Sequence, residues 1–169
     1  RHLVGGEYLE IHADTFRGRD GTEVVWERVA RTRGVRDIVA VFAVTPDRHV
    51  LLMEQLRPPM QVRPLELPAG LCDVPGETIT AAAHRELAEE TQHRARRFRR
   101  APWTPECSGV LDTRIHLFIA RGYVTPIPNA VPQPDETERA LGMRVVQLPV
   151  DDLERELLRH QRRTRNPVD

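Results

Sequence analysis

The chain has 169 residues, enough for one domain whose single core buries about two-thirds of the unfolded surface. Its 25 basic residues, all arginine, balance 25 acidic ones, so we do not expect nucleic-acid binding, although arginine clusters at 94–97 and 99–100 could act locally. No apolar run approaches the roughly 20 residues that span a bilayer, so no membrane insertion is expected. Two cysteines without metal-ligand spacing and no signal-peptide pattern predict free thiols in a cytoplasmic protein.

The first third of the chain has a β pattern. Short alternating runs at 8–12 and 23–29 flank the turn-prone residues 17–21, which predicts a hairpin. Continuous apolar segments at 38–44 and 49–55 predict two buried strands joined by a turn at 45–48.

A helix is predicted after a proline-rich stretch and a glycine loop. Thr78 is suited to cap its N-terminus, and Ile79, Ala83 and Leu87 form an apolar stripe at i, i+4 and i+8 that reaches about Thr91. This periodicity makes it the best-defined helix of the chain.

The last part of the chain alternates strands and connections. Residues 97–103 and 115–120 are predicted strands, and 125–135, with four prolines, is predicted as a connection. A strand at 144–148 and an amphipathic helix from 149 to about 162 follow, and the arginine-rich tail at 163–169 is expected to fray.

Three carboxylates share one face of the predicted central helix. Glu86, Glu89 and Glu90 lie at i, i+3 and i+4, within an arc of roughly 100°. Like charges at this spacing cost about 0.2–0.5 kcal/mol per pair, and a divalent cation would remove the conflict. Oxygen ligands without His or Cys favour Mg²⁺ or Mn²⁺. The alternative is an ordinary solvated helix face.

The run from Gly70 to Glu77, followed after seven residues by Arg85-Glu86-Leu87-Ala88-Glu89-Glu90, resembles the Nudix box. The loop before Glu77 is one residue longer than usual, and Gln92 and His93 replace a glycine and an aliphatic residue. Because glycine prefers the left-handed cap conformation, Gln92 puts the C-terminal turn of the helix in question.

Segments outside the box, at 54–58, 65–70, 112–118 and around Glu136 and Glu138, are similar to the branch of this superfamily that cleaves ADP-ribose and nucleoside diphosphate sugars. The resemblance implies the α/β Nudix fold, an α/β/α sandwich with a mixed central sheet and an N-terminal antiparallel β-hairpin region. It also implies a hydrolase domain at 35–162 and a homodimer that exchanges the strands of 1–34.

Carried over by position, the resemblance makes Glu86, Glu89, Glu90 and the Ala69 carbonyl the metal ligands. Arg85 would orient the glutamates as part of the catalytic machinery, and Glu77 would brace the loop against the helix. Arg57 and Glu66 would face the substrate, although a surface salt bridge is nearly as good an explanation for Arg57.

The general base cannot be assigned by position, because Thr113 stands where the branch often has a glutamate. Glu106 and Asp112 of the same loop and Glu89 of the box are the catalytic candidates. Glu106 is slightly favoured for its reach, and Asp112 could instead fix the loop. A reaction that needs no loop base is an equal alternative.

The function implied is metal-dependent hydrolysis of a nucleoside diphosphate conjugate, first of all ADP-ribose to AMP and ribose 5-phosphate. One alternative is a pyrophosphohydrolase of nucleoside triphosphates or oxidised nucleotides. Another is a non-hydrolytic Nudix domain that senses a nucleotide sugar, although such domains usually lack box glutamates and none is missing here.

Overall fold

A computed structural model describes residues 1–130 and 136–164. Its first three strands, β1 (His2–Gly5), β2 (Leu9–Arg17) and β3 (Glu23–Arg31), form an antiparallel sheet in the order β1-β2-β3. The predicted hairpin is therefore confirmed, and it is longer than expected and has an additional strand. Gly21, with φ of +85°, supplies the left-handed residue that the turn between β2 and β3 requires.

The central sheet is mixed. The strands after β3 are β4 (Asp37–Val44), β5 (His49–Glu54), β6 (Leu65–Glu66), β7 (Ala69–Leu71), β8 (His93–Ala95), β9 (Arg99–Arg100), β10 (Thr104–Pro105), β11 (Arg114–Arg121), β12 (Val124–Pro126) and β13 (Arg144–Pro149). The central sheet has the order β10-β11-β4-β5-β13, with β9 beside β11, β7 beside β4 and β6 beside β5. The pair of β11 with β4 is parallel, whereas β13 runs antiparallel to β5. A separate two-stranded sheet joins β8 to β12.

Helices cover both faces of this sheet. The helices are α1 (Ile79–Thr91), α2 (Glu136–Leu141) and α3 (Leu153–Thr164), the last preceded by a 3-10 turn at Val150–Asp152. Leu87 of α1 packs with Val41 and Phe118 on one face, and Leu157 of α3 packs against Val50 and its neighbours on the other. The predicted α/β/α sandwich is confirmed. In the described part of the chain, no helix is long and apolar enough to cross a membrane.

The site region originates where β4 and β5 separate. Their direct pairing is at Val44 and Val50, beyond which β7 pairs with β4 and β6 pairs with β5. The Pro68 carbonyl accepts a hydrogen bond from the Val41 backbone N–H at 2.8 Å. This splayed arrangement inserts the segment from Leu65 to Leu71 between the two strands and holds it beside α1.

Several predicted elements need correction. Of the strand expected at 97–103, only β9 forms, and pairing with β11 resumes beyond the predicted range as β10, because Pro102 has no N–H to continue the ladder along the edge of β11. Part of the predicted connection at 125–135 pairs as β12, while residues 131–135 lie outside the described residues. Helix α2 was not predicted. The predicted tail overlaps α3, which ends at Thr164, and 165–169 lie outside the described residues.

Candidate active site

A cleft of about 700 Å³ opens on the sheet face that α3 also covers. Its floor includes Ile38 and Ala40 of β4 and Ile115 and Leu117 of β11. These residues share a face because β4 and β11 are in register, with Ile38 opposite Ile115 and Ala40 opposite Leu117. The polar side chains on its walls are Arg31, Arg57, Glu66, Thr104 and Glu106, and the backbone of Ala69 and Gly70 forms one edge.

The three glutamates of α1 differ in exposure. Glu86 and Glu90 are buried, at 8% and 7% of their reference accessibility, whereas the side chain of Glu89 is 52% exposed. Thr78 caps the helix as predicted, since its hydroxyl accepts a hydrogen bond from the Ala81 N–H at 3.2 Å. Two carboxylates of the box are therefore held against the protein, and one faces solvent.

Both buried glutamates meet the segment that lines the cleft. The Ala69 N–H donates to Glu90 Oε2 at 3.0 Å. A Cβ atom added at Gly70 would lie 2.1 Å from Cδ of Glu86, far inside van der Waals contact. Glycine is therefore required at position 70, since the Glu86 carboxylate occupies the space that any side chain would take.

Arg85 organises the base of the helix. Its Nε donates to Glu77 Oε1 at 3.0 Å, and its Nη1 donates to Glu86 Oε1 at 2.6 Å and to Glu89 Oε2 at 3.2 Å. Its Nη2 donates to the Leu71 carbonyl at 3.0 Å. These bonds, first among them those to Glu77, raise the pKa of the Arg85 guanidinium. Arg85 thus links the loop after β7 to the glutamates of α1.

The suitability of this site for a divalent cation rests on its donors. Glu86, Glu89 and Glu90 offer the oxygen donors that Mg²⁺ and Mn²⁺ prefer, and the absence of a side chain at Gly70 allows the Glu86 carboxylate to reach the edge of the cleft. As described, residues 1–130 and 136–164 contain no group of three or more Asp, Glu, His or Cys side chains close enough to bind a metal ion together. Burial raises the pKa of the nearby Cys72 thiol to about 11.

Arg57 and Glu66 form a bidentate pair at the cleft wall. Arg57 Nε donates to Glu66 Oε1 at 2.8 Å, and Nη2 donates to Oε2 at 2.6 Å. The Arg57 side chain is 45% exposed and the Glu66 side chain 15%. The two interpretations of Arg57 are therefore compatible, since it makes a salt bridge and also lines the cleft.

The loop between β10 and β11 places its two carboxylates differently. Glu106 lines the cleft, and the Thr113 hydroxyl donates to its Oε2 at 2.5 Å. Arg31 Nη2 lies 3.8 Å from Glu106 Oε1. Thr113, which cannot act as a base itself, thus fixes the orientation of Glu106.

Asp112 faces the N-terminal sheet and is not among the residues that line the cleft. Arg28 Nη1 donates to its Oδ2 at 2.8 Å, and Arg36 Nε lies 3.3 Å from the same oxygen. Trp26 Nε1 donates to the Gly109 carbonyl at 3.1 Å, and the Val29 N–H donates to the Val110 carbonyl at 2.8 Å. The loop is thereby joined to β3.

The NUDIX domain family model matches residues 34–167, most of the chain. The chain belongs to this family. The NUDIX resemblance of the sequence is therefore confirmed, and the matched region contains α1, the cleft segment from Leu65 to Leu71 and the Glu106 loop.

Relatives of this NUDIX domain include a Saccharomyces cerevisiae protein named ADP-ribose pyrophosphatase, 32% identical over 66% of this chain and 51% of that protein. A Mus musculus protein named ADP-sugar pyrophosphatase is 30% identical over 88% of this chain and 70% of that protein. The chain spans about half the length of the yeast relative. A solved structure titled as an ADP compounds hydrolase shares the fold, with a TM-score of 0.72, 20% identity, and coverage of 92% of this chain and 80% of that one.

Two features of this NUDIX site were not predicted from sequence. Arg31 lines the cleft although it lies far from the box in the chain, and no local pattern marks it. Gln92 adopts the left-handed conformation, with φ of 54°, and its side-chain amide donates to the Glu89 carbonyl at 3.0 Å. The helix therefore keeps the turn that a glycine would give.

Proposed function

We propose that this protein hydrolyses the diphosphate bond of a nucleoside diphosphate conjugate with the help of Mg²⁺ or Mn²⁺, and that ADP-ribose, giving AMP and ribose 5-phosphate, is the first substrate to test. One observation carries the proposal: the buried carboxylates of Glu86 and Glu90 abut Ala69 and Gly70 at the edge of the cleft. The names of the yeast and mouse relatives support the choice of substrate.

The divalent ion would be held by Glu86, Glu89, Glu90 and the Ala69 carbonyl. When bound, such an ion neutralises diphosphate oxygens and lowers the pKa of a coordinated water. Arg85 is a positioning residue, because its bonds to Glu77, Glu86 and Glu89 fix the direction of the carboxylates. Arg85 also offsets the repulsion among these three negative charges.

Glu106 is the side chain best placed to take a proton from the attacking water. Water attacks one phosphorus, the bond from that phosphorus to the bridging oxygen breaks, and the products are two phosphate monoesters. The carboxylate oxygen that Thr113 does not engage is available to accept the proton. Asp112, paired with Arg28 and Arg36, serves the loop structure in this scheme, and Glu89 is the alternative base.

Arg57 would contact the substrate phosphates or ribose from the cleft wall. Glu66 restrains its guanidinium, so less side-chain freedom is lost when the substrate binds. We further infer a homodimer formed through the N-terminal sheet. Its strands expose the apolar side chains of Leu9, Phe16, Val24, Val25 and Trp26, and a second copy of the chain would cover them.

A product-resolved assay tests the function. ADP-ribose, a nucleoside diphosphate sugar and a nucleoside triphosphate are incubated with the protein, with Mg²⁺ or with excess chelator. We expect diphosphate conjugates to be cleaved fastest, the chelator to abolish turnover, and Glu90→Gln to lower it by about 10²–10³-fold. Glu23→Gln, an exposed β3 residue, is the matched control and should retain full activity. Faster triphosphate turnover contradicts the substrate assignment, and full activity in chelator contradicts the metal requirement.

A further inference from the structure

A second concavity, of about 550 Å³, lies beside the cleft, and we call it the basic groove. Its lining includes Arg97, Arg99 and Arg121 together with Phe42, Ile119 and Tyr123. Its volume falls within the range of small-molecule sites in proteins. The groove contains none of the residues assigned above to the cleft.

The three arginines have no acidic partner among the described residues. Within residues 1–130 and 136–164, Arg97, Arg99 and Arg121 form no salt bridge or side-chain hydrogen bond, and no acidic residue lines the groove. Elsewhere most described arginines near the site are paired, as Arg57 and Arg85 are. Guanidinium groups gathered in a concavity repel one another, and a phosphate that receives paired hydrogen bonds from them would relieve the repulsion.

Strand register places the groove in line with the cleft. Ile119 of β11 is opposite Phe42 of β4 and opposite Arg99 of β9, so these three side chains share one face. Leu117, which lines the cleft, is two residues earlier on β11 and points to the same face. At about 3.3 Å per residue, the groove begins about 7 Å from the cleft floor, which is close to the span of one sugar.

The arginine-bearing segment is anchored to the core. Phe98, between Arg97 and Arg99, packs its ring against Phe118 with centroids 5.4 Å apart and against His84 at 4.5 Å. Phe98 therefore fixes the backbone between the two arginines, and Phe98 itself also lines the groove. A site whose backbone is fixed in this way loses less entropy when it binds a ligand.

We propose that the basic groove binds an additional phosphate group at the far end of the conjugate whose diphosphate lies in the cleft. The inference rests on the proposed function and refines it. The favoured substrates are nucleoside diphosphate conjugates that carry a further phosphate monoester, on the nucleoside or on the sugar.

The test measures binding by titration calorimetry in chelator, where no turnover occurs. The ligands are ADP-ribose, its two derivatives with a phosphate on either ribose, and inorganic tripolyphosphate. We expect at least one derivative to bind about tenfold more tightly than ADP-ribose, and the R99Q/R121Q variant to lose that preference. The R17Q/R19Q variant loses the same number of positive charges, but from exposed positions of the N-terminal hairpin. This control variant should keep the preference for the phosphorylated derivative.

Competition identifies the source of the phosphate. Tripolyphosphate should compete with the phosphorylated conjugate in the wild-type protein, and R99Q/R121Q should weaken tripolyphosphate binding about tenfold. The inference is overturned if neither derivative is preferred, if R99Q/R121Q keeps the preference, or if both ligands bind at once. Because no hydrolysis is measured, a protein that binds by this pattern but cleaves no diphosphate contradicts only the proposed function.

Discussion

Substituting Gly70 by alanine tests whether the position of Glu86 matters for chemistry. The new Cβ would lie 2.1 Å from Glu86 Cδ, whereas ordinary contact begins at 3.4 Å, so the carboxylate must move by about 1.3 Å. A misplacement of about 1 Å at a reacting centre can cost about 10²-fold in rate. We therefore expect kcat/KM for ADP-ribose to fall about 100-fold or more in Gly70→Ala.

The free energy of unfolding of Gly70→Ala should fall only modestly. The displaced carboxylate loses charged hydrogen bonds worth about 1.5–3 kcal/mol, and alanine recovers about 0.4–1 kcal/mol by restricting the unfolded chain. The net loss of about 0.5–2.6 kcal/mol corresponds to a fall in Tm of about 1–10 °C for a chain of this size. Gly109→Ala is the control, because a Cβ there meets nothing within 4 Å. Equal kcat/KM in the two variants, measured from initial rates of AMP release, refutes the reasoning.

Three further outcomes are expected. Glu86→Gln should lower kcat by about 10²–10³-fold in initial-rate measurements, and the weaker hydrogen bond from Arg85 should also lower Tm in thermal melting; a rate near wild type removes Glu86 from the metal site. Glu106→Gln should abolish the fall in rate at low pH that protonation of a base causes, while Asp112→Asn keeps it; the reverse pattern in the pH–rate profiles assigns Asp112 instead. Light scattering at micromolar concentration should give a dimer mass for the wild type and a monomer mass for Val25→Asp, and an active wild-type monomer contradicts the dimer.

Local chemistry made much of the fold predictable. The Thr78 cap and the stripe of Ile79, Ala83 and Leu87 predicted α1 to within a residue, because caps and helical periodicity act over a few neighbouring positions. The continuous apolar segments predicted β4 and β5 equally well, since strands buried on both faces need no polar alternation. Of the three glutamates that the box places on one helix face, Glu86 and Glu90 lie against the cleft segment, whereas Glu89 is exposed.

The remaining features depend on contacts between distant parts of the chain. The hydrogen bond from Thr113 to Glu106 and the position of Arg31 at the cleft follow from sheet register and loop packing, which single segments do not encode. Pro102 does indicate an interruption of the strand, because proline cannot donate a hydrogen bond to a ladder. The β propensity of its neighbours nevertheless favoured the prediction of one long strand. The left-handed Gln92 shows that a side-chain hydrogen bond can replace the usual glycine.

The bonds that join β3 to the loop of Glu106 have a thermodynamic consequence. Three hydrogen bonds make this connection, from Trp26 to Gly109, from Arg28 to Asp112 and from Val29 to Val110. Ordering of the loop and ordering of the N-terminal sheet are therefore coupled equilibria. Coupling free energies are reciprocal. A ligand that stabilises the loop must therefore protect the amides of β3 from hydrogen exchange. If the proposed dimer forms through the N-terminal sheet, dimerisation must tighten ligand binding by the same factor by which the ligand tightens dimerisation.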